Sequence, residues 1–183
     1  LLGGQVFVGV DIGRSNDLTV CWTLETHPSL DGVYWTREVL TLKNMPYPEQ
    51  QELISERIKR ATRCAIDATG IGDETGERLA RRHGEYKVEA CKFTAPFKEE
   101  IFGRLKSQME KSAVRIPDCP IIRKDLTSLQ KQITSGGTVR FVAARTKDGH
   151  SDRTTALALA MYAARDSVGG NTAEKIHQIY AFV

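Results

Sequence analysis

Residues 5–12, QVFVGVDI, are short, apolar and β-branched, and carry one acid near the end, Asp11. Such a run reads as a buried strand. Working outward, residues 13–16 form a turn in which Gly and Asn supply permissive backbone. Residues 17–25 (DLTVCWTLE) alternate and read as a second strand, residues 27–32 as another turn, and residues 33–42 as a third strand. Connections this short between consecutive strands imply antiparallel hairpins, so the chain opens as a three-stranded meander.

Pro46 and Pro48 punctuate the end of the meander, and Pro48 suits the first turn of a helix over residues 49–63. Leu53, Ile54 and Ile58 fall on one face of that helix. Residues 64–68 (CAIDA) read as a fourth, buried strand, and the glycine-bearing turn 69–72 leads into a helix over 73–83. That helix has acids in its first turn and bases in its last, as the helix dipole prefers, and Gly84 ends it. Residues 86–93 read as a fifth strand. Thr94 can cap a helix running to about residue 112, with Pro96 in its first turn. A short strand at 114–116, a helix from Pro120 through Leu129, a hairpin over 132–142, a polar loop over 144–151 and an Ala/Leu-rich helix over 152–166 complete the pattern. Three antiparallel strands followed by α/β alternation predict a mixed central sheet with helices on both faces. The expected division is one domain over 1–168, with a hairpin insertion at about 129–145, and a tail over 169–183.

The chain has 183 residues, 40% hydrophobic and 27% charged, with 15 Gly and 6 Pro, a globular balance that excludes disordered and fibrous classes. The longest strictly apolar run, 156–164, is too short to span a bilayer, so no membrane partner is expected. No basic-then-apolar leader opens the chain, and the first residue is Leu, which suggests a piece of something longer. The cysteines at 21, 64, 91 and 119 have no zinc-type spacing with each other or with histidine, and read as reduced thiols. Net charge is +3. The half before residue 91 carries 11 basic and 14 acidic side chains and the half from 91 onward 15 and 9, an asymmetry that suits one face meeting a polyanion.

Three aspartates occupy telling places. Asp11 lies near the end of the most apolar strand, where a carboxylate is costly unless paired. Asp67 ends the fourth strand, and Asp152 starts the last long helix. If the fourth strand runs parallel beside the first, Asp11 and Asp67 become neighbours, and a helix across the sheet can bring Asp152. Converging carboxylates repel one another and raise their pKa values. Hard divalent cations such as Mg²⁺ or Mn²⁺ resolve that repulsion, and a pair of them suits phosphodiester hydrolysis. Taken singly, Asp67 also reads as a turn-closing acid and Asp152 as a first-turn helix acid.

The strand order and the placement of the carboxylates resemble the RNase H-like nuclease superfamily. Gly9-Val10-Asp11-Ile12-Gly13 with Asp17-Leu18-Thr19, then Ala65-Ile66-Asp67-Ala68-Thr69-Gly70, then His150-Ser151-Asp152-Arg153 running into Thr155-Ala156-Leu157-Ala158-Leu159-Ala160, resemble the C-terminal nuclease domain of phage terminase large subunits, those of Mu-like phages and prophages in particular. The resemblance covers roughly residues 5–168. It implies a metal-dependent endonuclease that cuts double-stranded phage DNA during packaging, with Asp11, Asp67 and Asp152 matching the catalytic and metal-binding acids and two Mg²⁺ or Mn²⁺ ions in the active complex. The second acid is Glu in some relatives and Asp here. His150 falls in the loop where some relatives place a further metal-site residue, and Asp148 is its rival.

The resemblance also implies partners: duplex DNA, an upstream ATPase domain, the phage portal and the small terminase subunit. The place of work would be the host cytoplasm, transiently at the procapsid portal. No Gly-x-x-x-x-Gly-Lys-Ser/Thr occurs, so the chain by itself is not expected to hydrolyse ATP. Phosphate contacts are expected from Arg14, just past Asp11, and from Lys124, Arg140, Arg145, Lys147 and Arg153, drawn from a wider set with Arg104, Lys106, Arg123 and Lys131. Three other readings stay open. A Holliday-junction resolvase or transposase-type core would use the same chemistry. An actin-like ATPase would use Asp11 and the glycines at 70, 72 and 76 as phosphate loops, and normally needs two such domains. A DNA-binding or assembly module would keep its carboxylates for structure.

Overall fold

The computed structural model describes residues 3–13, 18–27, 29–133, 136, 139–142 and 151–167. Expectations placed on 14–17, 143–150 and the tail fall outside these residues. The meander is present as β1 (Val6–Asp11), β2 (Thr19–Thr26) and β3 (Tyr34–Leu42), paired antiparallel in sequence order. The rest follows as α1 (Tyr47–Lys59), β4 (Arg63–Asp67), α2 (Ile71–His83), β5 (Val88–Cys91), α3 (Ala95–Glu110), β6 (Val114–Arg115), α4 (Pro120–Ser128), β7 (Gln130–Ile133), β8 (Val139–Val142) and α5 (Asp152–Ala163). Six strands form one sheet in the order β5-β4-β1-β2-β3-β6, with β4 parallel to β1, β5 parallel to β4 and β6 parallel to β3. β7 and β8 form a separate antiparallel pair.

Element ends differ from the sequence expectation where local backbone chemistry intervenes. α1 stops at Lys59 rather than at 63, because the Thr62 amide already donates to the Val6 carbonyl (2.7 Å) and draws the chain into the sheet. β5 starts at Val88 rather than at 86. Gly84 takes φ +94, its carbonyl accepts from Lys87 and Val88, and Tyr86 stands exposed on that turn. α3 ends at Glu110, because Ser112 adopts a left-handed φ of 53 and the Ala113 amide closes back on the Gln108 carbonyl at 2.9 Å.

Strand alternation divides the core into two layers. Val8 and Val10 of β1, Cys64 and Ile66 of β4, and Cys21 of β2 pack with Ile54 and Ile58 of α1 and Leu79 of α2. Phe7, Ala65, Val20, Trp22 and Leu24 face the other way, against α5, with Ile101, Phe102 and Leu105 of α3 behind it. Gly9 shares the α5 side with Phe7. A Cβ built at Gly9 would stand 2.1 Å from the Ala156 carbonyl oxygen and 2.2 Å from the Ala160 amide nitrogen. Helix backbone therefore lies directly on strand backbone at this point. The Ala-rich sequence of α5, nine of whose residues are buried, permits that approach.

Gly9→Ala meets backbone that cannot rotate away, so it should destabilise the chain by ~3 kcal/mol or more. Urea unfolding followed by tryptophan fluorescence will show this as a lower midpoint at unchanged slope.

Candidate active site

Gly9 pairs with Ala65 and Val10 with Ile66 in the parallel β1–β4 ladder. One residue further on, Asp11 and Asp67 end neighbouring strands on the side that α5 covers. Two strand residues advance about 6.7 Å, and four helix residues about 6 Å. Asp11, two residues beyond Gly9, is thus matched by Asp152, four residues before Ala156, and the two elements run in opposite directions. The three aspartates line one cavity of about 220 Å³, together with Lys98, Ser151 and Thr155. Phe93, Phe102, Leu129 and Phe141 supply its apolar walls. A larger, mostly apolar cavity of about 630 Å³ shares Phe102, Leu129 and Phe141 with it but has no aspartate in its lining.

Asp67 and Asp152 are held differently. Asp67 Oδ1 accepts the Thr69 amide at 2.9 Å, and Thr69 Oγ1 accepts the Phe93 amide at 3.0 Å. The turn then folds tightly: a Cβ at Gly72 would stand 2.1 Å from the Asp67 carbonyl oxygen. α2 begins after Gly70 with no side-chain cap, so Asp67 closes the turn without capping the helix. Burial pushes the Asp67 carboxyl above the usual aspartate range, against the opposing pull of its Thr69 hydrogen bonds and of the positive charges of Lys98 and Lys92.

Asp152 is buried at the first turn of α5, behind Ser151, a non-glycine residue at φ 63, ψ 24. Both neighbours of Asp152 are tied to α4. Ser151 Oγ and Ser128 Oγ share a hydrogen bond of 2.9 Å. Arg153 Nη1 donates to Asp125 Oδ2 at 3.0 Å in an ion pair whose side chains are only 11% and 5% exposed. A left-handed residue and a buried ion pair on either side of one acid indicate that its position is enforced by its surroundings.

Of the bases expected to meet phosphate, Arg153 is mostly buried and its guanidinium pairs with Asp125. Lys124 on α4 and Arg140 on β8 are exposed. Arg14, Arg145, Lys147, Asp148 and His150 lie outside the described residues. Of the wider set, Arg104 donates to the Met161 carbonyl, Lys131 pairs with Glu99, Lys106 faces Glu110 and Arg123 pairs with Asp118. Lys98 was not singled out from the sequence, because nothing in its spacing links the start of α3 to Asp67. Ser151 was likewise invisible as a strained residue.

Among the described residues, no three His, Cys, Asp or Glu side chains stand close enough to share one metal ion. The carboxylates instead ring a shared space. The donor set is all carboxylate oxygen, the chemistry that Mg²⁺ and Mn²⁺ accept while keeping several waters. A half-buried carboxyl whose proton affinity is raised, on the wall of that space, fits a group that gains from an incoming cation.

A mixed six-stranded sheet with carboxylates at the ends of β1 and β4 and at the start of the helix across them defines an RNase H-like domain. The sequence pattern of the family described as "Terminase RNaseH-like domain" matches residues 8–164, and the chain belongs to that family. It is 28% identical over 165 residues to "Probable terminase, large subunit gp28" of Escherichia phage Mu, a match covering 85% of this chain and 29% of the Mu protein. The chain therefore spans under a third of that relative.

The fold is shared with solved terminase nucleases. The large terminase nuclease of thermophilic phage G20c with bound magnesium superposes with a TM-score of 0.72 at 21% identity, covering 87% of this chain and 82% of that one. The nuclease domain of Thermus phage P74-26 gives 0.67 at 20% identity, covering 92% and 84%. The nuclease domain of bacteriophage SPP1 g2p with bound Mn gives 0.59 at 15% identity, covering 86% and 85%.

The raised carboxyl of Asp67 carries a stability cost with a definite sign. The folded state holds the proton to higher pH than the unfolded state does, so metal-free stability falls as pH rises from the ordinary aspartate value, 3.8, through the raised one. Asp67→Asn keeps the acceptor for Thr69 and removes the charge. In EDTA it should melt above wild type at pH 7, with the gap closing below about pH 3.8, as calorimetry across pH will show.

Proposed function

We propose that the chain is the nuclease domain of a phage DNA-packaging terminase large subunit, a divalent-metal-dependent endonuclease that cuts double-stranded DNA. The observation that carries this reading is the single cavity onto which β1, β4 and α5 each present one aspartate. Asp11, Asp67 and Asp152 would hold two Mg²⁺ or Mn²⁺ ions. When bound, such ions supply a water of lowered pKa and offset the charge on the departing 3′ oxygen. The protein's own part is placement. The β1–β4 ladder and Gly9 fix the three carboxylates relative to one another, so no side-chain nucleophile is required. Ser151, Ser128 and the Arg153–Asp125 pair hold the start of α5 steady under Asp152. Phe93, Phe102, Leu129 and Phe141 border the carboxylates with apolar surface, which would strengthen their pull on cations.

Lys124 and Arg140, and in sequence Arg14, Arg145 and Lys147, are the candidates for holding the duplex by its phosphates. His150 and Asp148 remain candidates for a further metal-site residue. The setting proposed with this reading is the host cytoplasm, transiently at the procapsid portal, beside an upstream ATPase domain and a small terminase subunit; the similarity to a probable terminase large subunit of phage Mu supports the terminase part of it. Among the described residues no helix is long and apolar enough to cross a membrane.

Supercoiled plasmid incubated with the chain in Mn²⁺, Mg²⁺ or EDTA tests the reading. Nicking and linearisation should need metal. Asp11→Asn, Asp67→Asn and Asp152→Asn should each lose more than the ~10- to 100-fold that follows loss of a mere supporting partner of a metal ligand. Intact plasmid with every metal, alongside retained DNA binding, would favour a binding module, and preference for branched over linear duplex would favour a resolvase.

A further inference from the structure

We infer that Lys98 is a phosphate-binding residue of the aspartate cavity, holding a backbone phosphate of the strand that enters it. This rests on the nuclease reading and adds a substrate contact to it. Lys98 lies in the first turn of α3, whose start is fixed by Thr94: its hydroxyl accepts the Phe97 amide at 3.3 Å and its carbonyl accepts the Lys98 amide at 3.0 Å. The side chain lies over the Phe93 ring, with Nζ 5.8 Å from its centroid, on the wall of the cavity that holds Asp11, Asp67 and Asp152.

Neighbouring lysines behave differently. Lys92 pairs with Asp73 at 2.5 Å and Lys131 with Glu99 at 2.7 Å. Among the described residues, no carboxylate stands within ion-pair distance of Lys98. Its charge reaches Asp67 across the cavity without closing on it. Lys98 shares the cavity with three acids, yet its ammonium lies over an aromatic face rather than closing on one of them. Once divalent ions outweigh the acids, the phosphate they attract comes within the reach of a flexible cation carrying three donors. A single carboxylate partner would have occupied that cation. The Phe93 ring keeps it oriented at smaller cost to its mobility.

Lys98→Met and Lys98→Arg in the 183-residue chain test the inference. Three readouts are needed: anisotropy of a labelled duplex in Ca²⁺ across a salt series, Mn²⁺ calorimetry without DNA, and plasmid cleavage. For Lys98→Met, the slope of log affinity against log salt should become shallower by about 0.9, the value of one phosphate contact. Its cleavage should fall on the order of 100-fold, while Mn²⁺ binds at least as tightly as to wild type. Lys98→Arg should keep the wild-type slope and cleave within about 10-fold of wild type, as a retained charge predicts. An unchanged slope overturns the inference, whatever happens to the rate. Loss of Mn²⁺ binding in Lys98→Met also overturns it, because Lys98 would then be shaping the carboxylates. A wild type that binds neither Mn²⁺ nor duplex overturns the nuclease reading and this inference together. A wild type that cleaves, with Lys98→Met cleaving equally well, overturns this inference alone.

Discussion

The contact of α5 backbone with β1 backbone at Gly9 is the constraint on which the site depends. With no side chain between them, the Ala156 carbonyl and the Ala160 amide come to the strand itself. That closeness fixes the height of the helix above the sheet and its position along the strand. Since strand and helix advance by nearly equal steps over two and four residues, the same contact that seats Ala156 on Gly9 sets Asp152 beside Asp11. Larger residues on α5 would lift the helix from the sheet and move Asp152 away from the cavity that Asp11 and Asp67 line.

Around that contact the chain spends stability on position. Asp67 is held partly out of water by a turn whose amide and hydroxyl only partly offset its burial. Ser151 takes a left-handed conformation that no glycine relieves, and Arg153 and Asp125 are withdrawn together from solvent. Each costs something in isolation: backbone strain of about 1–3 kcal/mol, or desolvation that an ion pair recovers only with good geometry. All three lie at or next to an aspartate of the cavity. The remainder of the molecule, with its two apolar layers of β-branched and aliphatic residues, carries the cost.

Much of the fold was legible because it follows from local rules. Alternation gave the meander, Pro48 and Pro96 marked helix starts, and the apolar CAIDA run marked β4. Boundaries slipped where a backbone hydrogen bond to a distant residue decided the matter, as at Thr62, or where a non-glycine residue took a left-handed turn, as at Ser112. The attachment of β6 to the far edge of β3 had no local signal, since a two-residue strand carries almost no pattern. Arg153 read as a surface base because sequence shows charge but not direction. Its inward turn depends on Asp125, 28 residues away.

The sequence by itself determined the strand and helix order, the positions of Asp11, Asp67 and Asp152 on that order, and the glycine and alanines that permit a close crossing. Periodicity, residue size and charge are properties of the chain and are written locally. Only the tertiary structure decided that the three acids line one cavity, that Lys98 shares it, and that Arg153 does not face solvent. Those outcomes depend on β4 lying parallel beside β1 and on α5 crossing both, contacts between residues far apart in sequence. Their register is set by which backbones can approach, and no local stretch of sequence records it.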